Sequence, residues 1–264
     1  MDKFSEYRFD NIIQDPDRSF FHKYQDLVIG NRRIGFLFYF EVCTVLFNPI
    51  QGMLGLALRK LLFPPLFGRV GRRVVFGHHI SIRSPGNIQI GNNTVIDDFT
   101  TLSVRGTTGQ HIQLGDNVLI GRLTMLKTRG GSIEIADHVH VGPNCHLGTA
   151  STLLIGEYSL IGSNCFIGGL HHGYEDSDKP IMQQPLDNRG GVTIGKDVWL
   201  GAGVTVLDGV SIGDSAIIGA SSVITRDIPA YSIAVGSPAK VIRQRSRPSD
   251  GAASTKTVDQ TPTT

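Results

Sequence analysis

Aliphatic residues recur every six positions through most of this chain. In the run VTIGKD-VWLGAG-VTVLDG-VSIGDS-AIIGAS-SVITRD, Ile194, Leu200, Val206, Ile212, Ile218 and Ile224 fall six apart without a slip. A small or aliphatic residue stands two positions before each, and glycine often follows. The same phase holds for Leu114 and Ile120, for Val141 and Leu147, and for Ile155, Ile161 and Ile167. No α-helical period gives six, and strand alternation gives two without the glycine. Repetition this strict, over residues 74–243, predicts a solenoid. Three short strands joined by tight turns make one triangular coil of about eighteen residues. Coils then stack at about 4.8 Å, with the aliphatic position inward. Glycine suits the corners, where a β-carbon is excluded, and Asn92-Asn93, Asp116-Asn117 and Lys196-Asp197 fill the turns. The repeat length predicts roughly eight coils in a prism about 40 Å long.

Residues 1–73 read differently, as a helical, apolar segment. Residues 34–47 (IGFLFYFEVCTVLF) are densely apolar but enclose Glu41 and end at Asn48 and Pro49. That is too short for a spanning helix, which needs about 20 apolar residues. Residues 52–63 show a helical period through Leu54, Leu58, Leu61 and Leu62, with Arg59 and Lys60 on another face, until Pro64-Pro65 stops the helix. Either the segment packs as a helical hairpin on the fold or a partner subunit, or residues 34–67 lie in a membrane interface as a peripheral anchor. Two interruptions break the hexads, residues 103–111 and residues 170–191. The second, LHHGYEDSDKPIMQQPLDNRGG, is long for an economical solenoid and reads as functional. Residues 244–264 lack the apolar content to fold and read as a disordered tail.

Composition narrows the function classes. Of 264 residues, 32 are glycine, and the net charge of +2 comes without a lysine or arginine block, so nucleic-acid binding has no support. An odd count of three cysteines without paired spacing fits a reducing compartment. With a polar, mixed-charge start in place of a secretory signal, the expected location is cytoplasmic.

The repeats, the extruded loop and the ending VTIGKDVWLGAGVTVLDGVSIGDSAIIGASSVITRDIPAYSIAVGSPAKVIR together resemble the hexapeptide-repeat acyltransferase family, similar to the maltose, galactoside and streptogramin O-acetyltransferases. The resemblance covers residues 74–243 and implies an all-β, left-handed parallel β-helix as the catalytic domain. It also implies a homotrimer with sites between neighbouring prisms, and acetyl-CoA as co-substrate with no metal. The expected reaction is acetyl transfer to a hydroxyl of a sugar or related acceptor. A base must take the alcohol proton as the oxygen attacks the thioester, and imidazole suits this near neutral pH. In the family this histidine lies on the extruded loop, eight residues before a proline. His172 meets that spacing to Pro180, and His171 is one residue off. Glu175, Asp176 or Asp178 can supply an orienting carboxylate or merely solvate the loop.

Trp199 precedes the inward Leu200 and so points outward, as a wall of the acyl-donor groove or as interface packing. Family members bind the pantetheine arm through backbone of the later coils, which implies Gly201, Ala202, Ala220 and Ser221 here. Thr225, Arg226, Lys240 and Arg243 lie where CoA phosphates can be met. Cys145 and Cys165 occupy the small-residue slot and read as buried thiols. His78, His79, His138, His140 and His146 raise the alternative of a zinc protein like the γ-class carbonic anhydrases. A zinc site needs convergent imidazoles, whereas His140 and His146 lie one hexad apart on adjacent faces. A trimeric scaffold without catalysis is the other alternative.

Overall fold

The structure is a computed structural model describing residues 17–105, 109–169, 171–184, 186–187 and 189–246, with His171, His172, Leu186 and Asp187 described by their backbone. Residues 247–264, most of the expected tail, lie outside the described residues.

Three parallel sheets form the sides of a solenoid of seven coils. Face A runs from Arg69–Val70 to Ser211–Ile212, face B from Val75–Phe76 to Ile217–Ile218, and face C from Ser81–Arg83 to Val223–Ile224. The hexad phase is the register. On face B, Phe76, Ile96, Ile120, Val141, Ile161, Leu200, Ile218 and Ala234 stack rung over rung. On face C, Ile82, Leu102, Leu126, Leu147, Ile167, Val206 and Ile224 do the same. All of these are buried, and each contributes about 1.5–3 kcal/mol of apolar burial. Gly201 shows why the corners demand glycine, since a β-carbon there would come within 2.6 Å of the Ala220 nitrogen.

Seven coils replace the expected eight because the early coils are longer than eighteen residues. Gln89 pairs with Gln113, a step of 24, and Gln113 with Glu134, a step of 21, whereas Thr193 to Ser211 is 18. The excess lies partly on face C, where Thr101–Arg105 and Met125–Arg129 are five-residue strands. The first strand begins at Arg69, ahead of the clear hexads.

Helices precede the first coil. Helix α1 (Phe20–Tyr24) continues into a wider-wound turn, Gln25–Ile29. Helix α2 (Ile34–Val42) continues likewise through Cys43–Phe47, and α3 spans Gly52–Leu62. They dock through Phe63 and Phe67, whose rings lie 5.5 and 5.4 Å from that of Phe76. Asn48 adds a paired contact to the first coil, donating to the Ile80 carbonyl (2.8 Å) and accepting from the Ile80 nitrogen (2.9 Å). Arg59 does lie off the exposed leucine face, but it does not share the exposure of Lys60. It is 1% exposed, because its guanidinium gathers the carbonyls of Phe47, Ile50 and Phe76. Several apolar side chains of α3 face out instead, with Met53 87%, Leu54 65% and Leu61 73% exposed, while Leu62 packs on the core. Among the described residues, no helix is long and apolar enough to cross a membrane.

Candidate active site

The extruded segment leaves the solenoid at the end of face C strand Phe166–Gly169. Its root is a two-stranded antiparallel ribbon in which His171 pairs with Asp187 and His172 with Leu186. Both candidate histidines are therefore anchored at the base of the loop, not at its tip. Beyond the ribbon, Gln184 organises the turn. It is 8% exposed, its Nε2 donates to the carbonyls of Asp176 (2.8 Å) and Lys179 (2.9 Å), and its Oε1 accepts from the Asp176 nitrogen (3.1 Å). Asp176 is spent on this turn, pairing with Lys179 at 2.7 Å and accepting from the Asp178 nitrogen. Glu175 and Asp178 are exposed. On the return, the Arg189 nitrogen donates to the buried Asp208 carboxylate (3.2 Å).

A cleft of about 170 Å³ opens beside the loop root, lined by Lys127, Arg129, His146, Gly148, Thr149, Phe166 and Gly169. His146 stacks on Phe166 with ring centroids 4.9 Å apart. Burial, and then the Lys127 charge, lower the His146 pKa, so its ring is neutral at physiological pH.

The residues expected along the acyl-donor groove fall into groups. Gly201, Ala202, Ala220 and Ser221 meet at one corner, between faces B and C, where the Ser221 nitrogen donates to the Ala202 carbonyl (2.8 Å). Trp199 is 51% exposed on face B, between Leu160 and Ile217. Lys240 and Arg243 belong to the antiparallel strand Ala239–Gln244 that edges face B, and both are exposed. Thr225 and Arg226 follow strand Val223–Ile224, at the far side of face C from that corner.

Cys145 and Cys165 are buried at 2% and 1% exposure. Each thiol donates to a carbonyl of the next coil, Gly162 (3.1 Å) and Gly201 (3.3 Å) respectively. His140 lies on face B and His146 on face C, His138 stacks on Tyr158, and His79 stacks on Phe99. No group of three metal-ligating side chains converges among the described residues.

Sequence reasoning passed over Lys127, Arg129, Gln184 and Asp208, and weighed His146 only as a metal ligand. The face C residues had one available signal, the lengthened strands that put polar positions past the inward hexad. Gln184 and Asp208 had none, since nothing local separates a loop-bracing amide or carboxylate from a solvated one.

The bacterial transferase hexapeptide (six repeats) family matches residues 191–226. The dTDP-4-amino-4,6-dideoxy-D-glucose acyltransferase of Escherichia coli is 31% identical over 185 residues, covering 69% of this chain and 84% of that protein. The chain belongs to the hexapeptide-repeat acyltransferase family. It is also 36% identical over 120 residues to WbbJ of Escherichia coli K12, named for O-acetyl transfer in lipopolysaccharide biosynthesis, and spans 61% of that protein. It spans 38% of a mycobacterial acetyltransferase, Rv3034c, at 34% identity. The polysialic acid O-acetyltransferase OatWY shares the fold at a TM-score of 0.54 and 20% identity, covering 67% of this chain and 86% of that one. In this hexapeptide-repeat acyltransferase the family match, residues 191–226, lies within the solenoid.

Proposed function

We propose that this protein transfers an acetyl group from acetyl-CoA to a hydroxyl of a sugar or glycan acceptor, with residues 74–243 as the catalytic domain. The observation that carries this reading is its likeness to a sugar acyltransferase over 84% of that enzyme's length, with a histidine-bearing loop breaking the solenoid. In the proposed mechanism the His172 imidazole takes the acceptor proton as the oxygen attacks the thioester carbonyl. The tetrahedral intermediate collapses with loss of the CoA thiolate, which the imidazolium reprotonates, and the base is restored. Gly201, Ala202, Ala220 and Ser221 form the wall for the pantetheine arm, Trp199 flanks it, and Lys240, Arg243, Thr225 and Arg226 are the candidate contacts for CoA phosphates.

A thiol-release assay with acetyl-CoA and a panel of sugars, a 4-amino sugar included, tests the reading. His172→Ala should lower turnover by about 10²–10⁴-fold with the fold intact. Full activity in that variant moves the role to His171, and no release from any acceptor overturns the enzyme reading.

We further propose a cytoplasmic location, which three free cysteines suit, and peripheral docking on a membrane surface through the helices. Phe38, Leu46, Met53, Leu54 and Leu61 stand exposed on α2, its continuation and α3. Lys60, Arg32 and Arg33 lie nearby in the chain and are also exposed, and cations beside an apolar face suit an anionic bilayer. Co-sedimentation with vesicles containing phosphatidylglycerol should be lost in Phe38→Glu/Met53→Glu. Absence of wild-type binding sinks the docking reading and leaves the chemistry untouched.

A further inference from the structure

Face C carries a group of cations that the acyl-transfer steps leave unused. Register sets Arg83, Ser103 and Lys127 side by side, and Arg105 beside Arg129 two residues further along. Rungs lie about 4.8 Å apart, so four cationic side chains share two neighbouring outward rows. They feel one another. Burial, then Arg83 and Arg129, push Arg105 down to about 10, and burial with Arg129, Arg105 and Arg83 lowers Lys127. Among the described residues Arg83, Lys127 and Arg129 have no carboxylate partner. On the Arg83 side, Tyr24 feels that guanidinium as well as the Glu41 carboxylate to which its hydroxyl donates.

Buried polar atoms without partners accompany the cations. Among the described residues, Ser103 Oγ, in a residue 2% exposed, has no hydrogen-bond partner, and neither has Nδ1 of His146, which lines the cleft. Ser103 stands on the row between Arg83 and Lys127. Orphaned buried groups destabilise the empty protein unless a ligand satisfies them. Lys127 and Arg129 border the cleft at the loop root, whose floor is Gly148. A β-carbon there would stand 3.0 Å from the His146 ring. Arg83, Lys127 and Arg129, without a carboxylate partner among the described residues, suit a ligand group that only accepts hydrogen bonds.

We propose, resting on the acyl-transfer reading for the ligand's role as acceptor, that this cleft and the adjoining cation rows bind a phosphate or diphosphate group of the acceptor. The substrate class is then a phosphorylated sugar, not a neutral one. CoA also carries phosphates, and its candidate contacts Thr225 and Arg226 share this edge of face C, but they lie at the other end of the solenoid, and the Gly201–Ala220 corner assigned to the CoA arm lies on the opposite edge.

Calorimetric titration of the full chain with inorganic pyrophosphate, glucose 1-phosphate and acetyl-CoA separates the sources. Wild type should bind both phosphate probes, and Lys127→Gln/Arg129→Gln should bind them at least tenfold more weakly while keeping acetyl-CoA affinity within twofold. Gly148→Val, which keeps every charge but fills the floor, should weaken glucose 1-phosphate more than pyrophosphate. Pyrophosphate should also raise the melting temperature of wild type above that in chloride of equal ionic strength, and not that of the double variant. No binding of either phosphate probe, equal binding by wild type and double variant, or loss of acetyl-CoA affinity in the double variant overturns the site as an acceptor-phosphate site. Phosphate binding without any acetyl-CoA binding would instead leave the anion site standing and remove the acyl-transfer reading.

Discussion

Arg59 adds buried polar contacts to the apolar packing that holds the helical segment to the first coil. Its Nε donates to the Phe76 carbonyl (3.0 Å) and its Nη1 to those of Phe47 (3.1 Å) and Ile50 (2.5 Å). Gly55 makes room, since a β-carbon there would lie 2.9 Å from Arg59 Nη1. Burial lowers the Arg59 pKa, the cost of holding a cation there. Arg59→Met should lower the unfolding free energy by about 3 kcal/mol, because charge-assisted bonds are lost and carbonyls stay buried; urea unfolding measures it. The α3 sequence concealed this. Its leucine period reads as a buried face, but a periodic stripe fixes only a helix and its two sides, not which side meets the fold. Asp26 gives the acid-side counterpart. Its hydrogen bond to Arg32 holds its carboxyl below the usual carboxylate range, with Arg18 also paired to it. A depressed folded pKa stabilises above the unfolded value and is lost as pH falls through the folded one. Asp26→Asn should therefore cost under about 1 kcal/mol at neutral pH, given partial exposure. The difference from wild type should vanish in acid below both pKa values.

Among the elements, the loop and the coil corners answer to different forces. The loop is braced by one amide, since Gln184 serves both Asp176 and Lys179. Gln184→Ala should reduce kcat/KM by about tenfold through misplacement of the loop, while the melting temperature stays within about 2 °C because no coil contact is lost. An unchanged kcat/KM would show that the turn does not position the catalytic ribbon. The loop itself was legible, as the gap where hexads stop, and so was its histidine pair. Its antiparallel root was not, because a two-residue ribbon carries no periodicity. The corners were fully legible, down to the cysteines in their small-residue slots. Contact with the Cys165 sulfur, and then burial, push the Cys145 thiol up, and all three cysteines are buried and free. Ellman's reagent should label none of them in the native protein and all three after unfolding; rapid native labelling would contradict the packing.

Across the whole molecule, the three faces differ in what they present outward. Face A shows Gln89, Gln113, Glu134, Leu154, Thr193 and Ser211 on successive rungs, polar but for one leucine. Face B shows Val75, Val95, Leu119, His140, Leu160, Trp199 and Ile217, of which Leu160 is 46% and Trp199 51% exposed. A column of aliphatic and indole surface broken by one imidazole is costly in water and is relieved by packing against another copy. Cyclic closure lets each prism bury such a face against its neighbour, which makes face B the natural seam of the proposed homotrimer. That asymmetry is written in the hexads, since Leu119, Leu160 and Trp199 each stand one residue before an inward aliphatic. What the hexads omit is the partner, because an outward apolar position looks the same whether water, a lipid or a second prism meets it. The seam is tested by charge. Each buried leucine contributes about 1.5–3 kcal/mol, and a carboxylate in its place must be desolvated without a partner. Wild type should sediment as a trimer, and Leu119→Glu/Leu160→Glu as a monomer with the wild-type β spectrum. Because Trp199 sits in the same column, acetyl-CoA turnover should fall with the trimer. A monomeric variant with full turnover would place the whole site within one prism, and a monomeric wild type would remove face B as a seam.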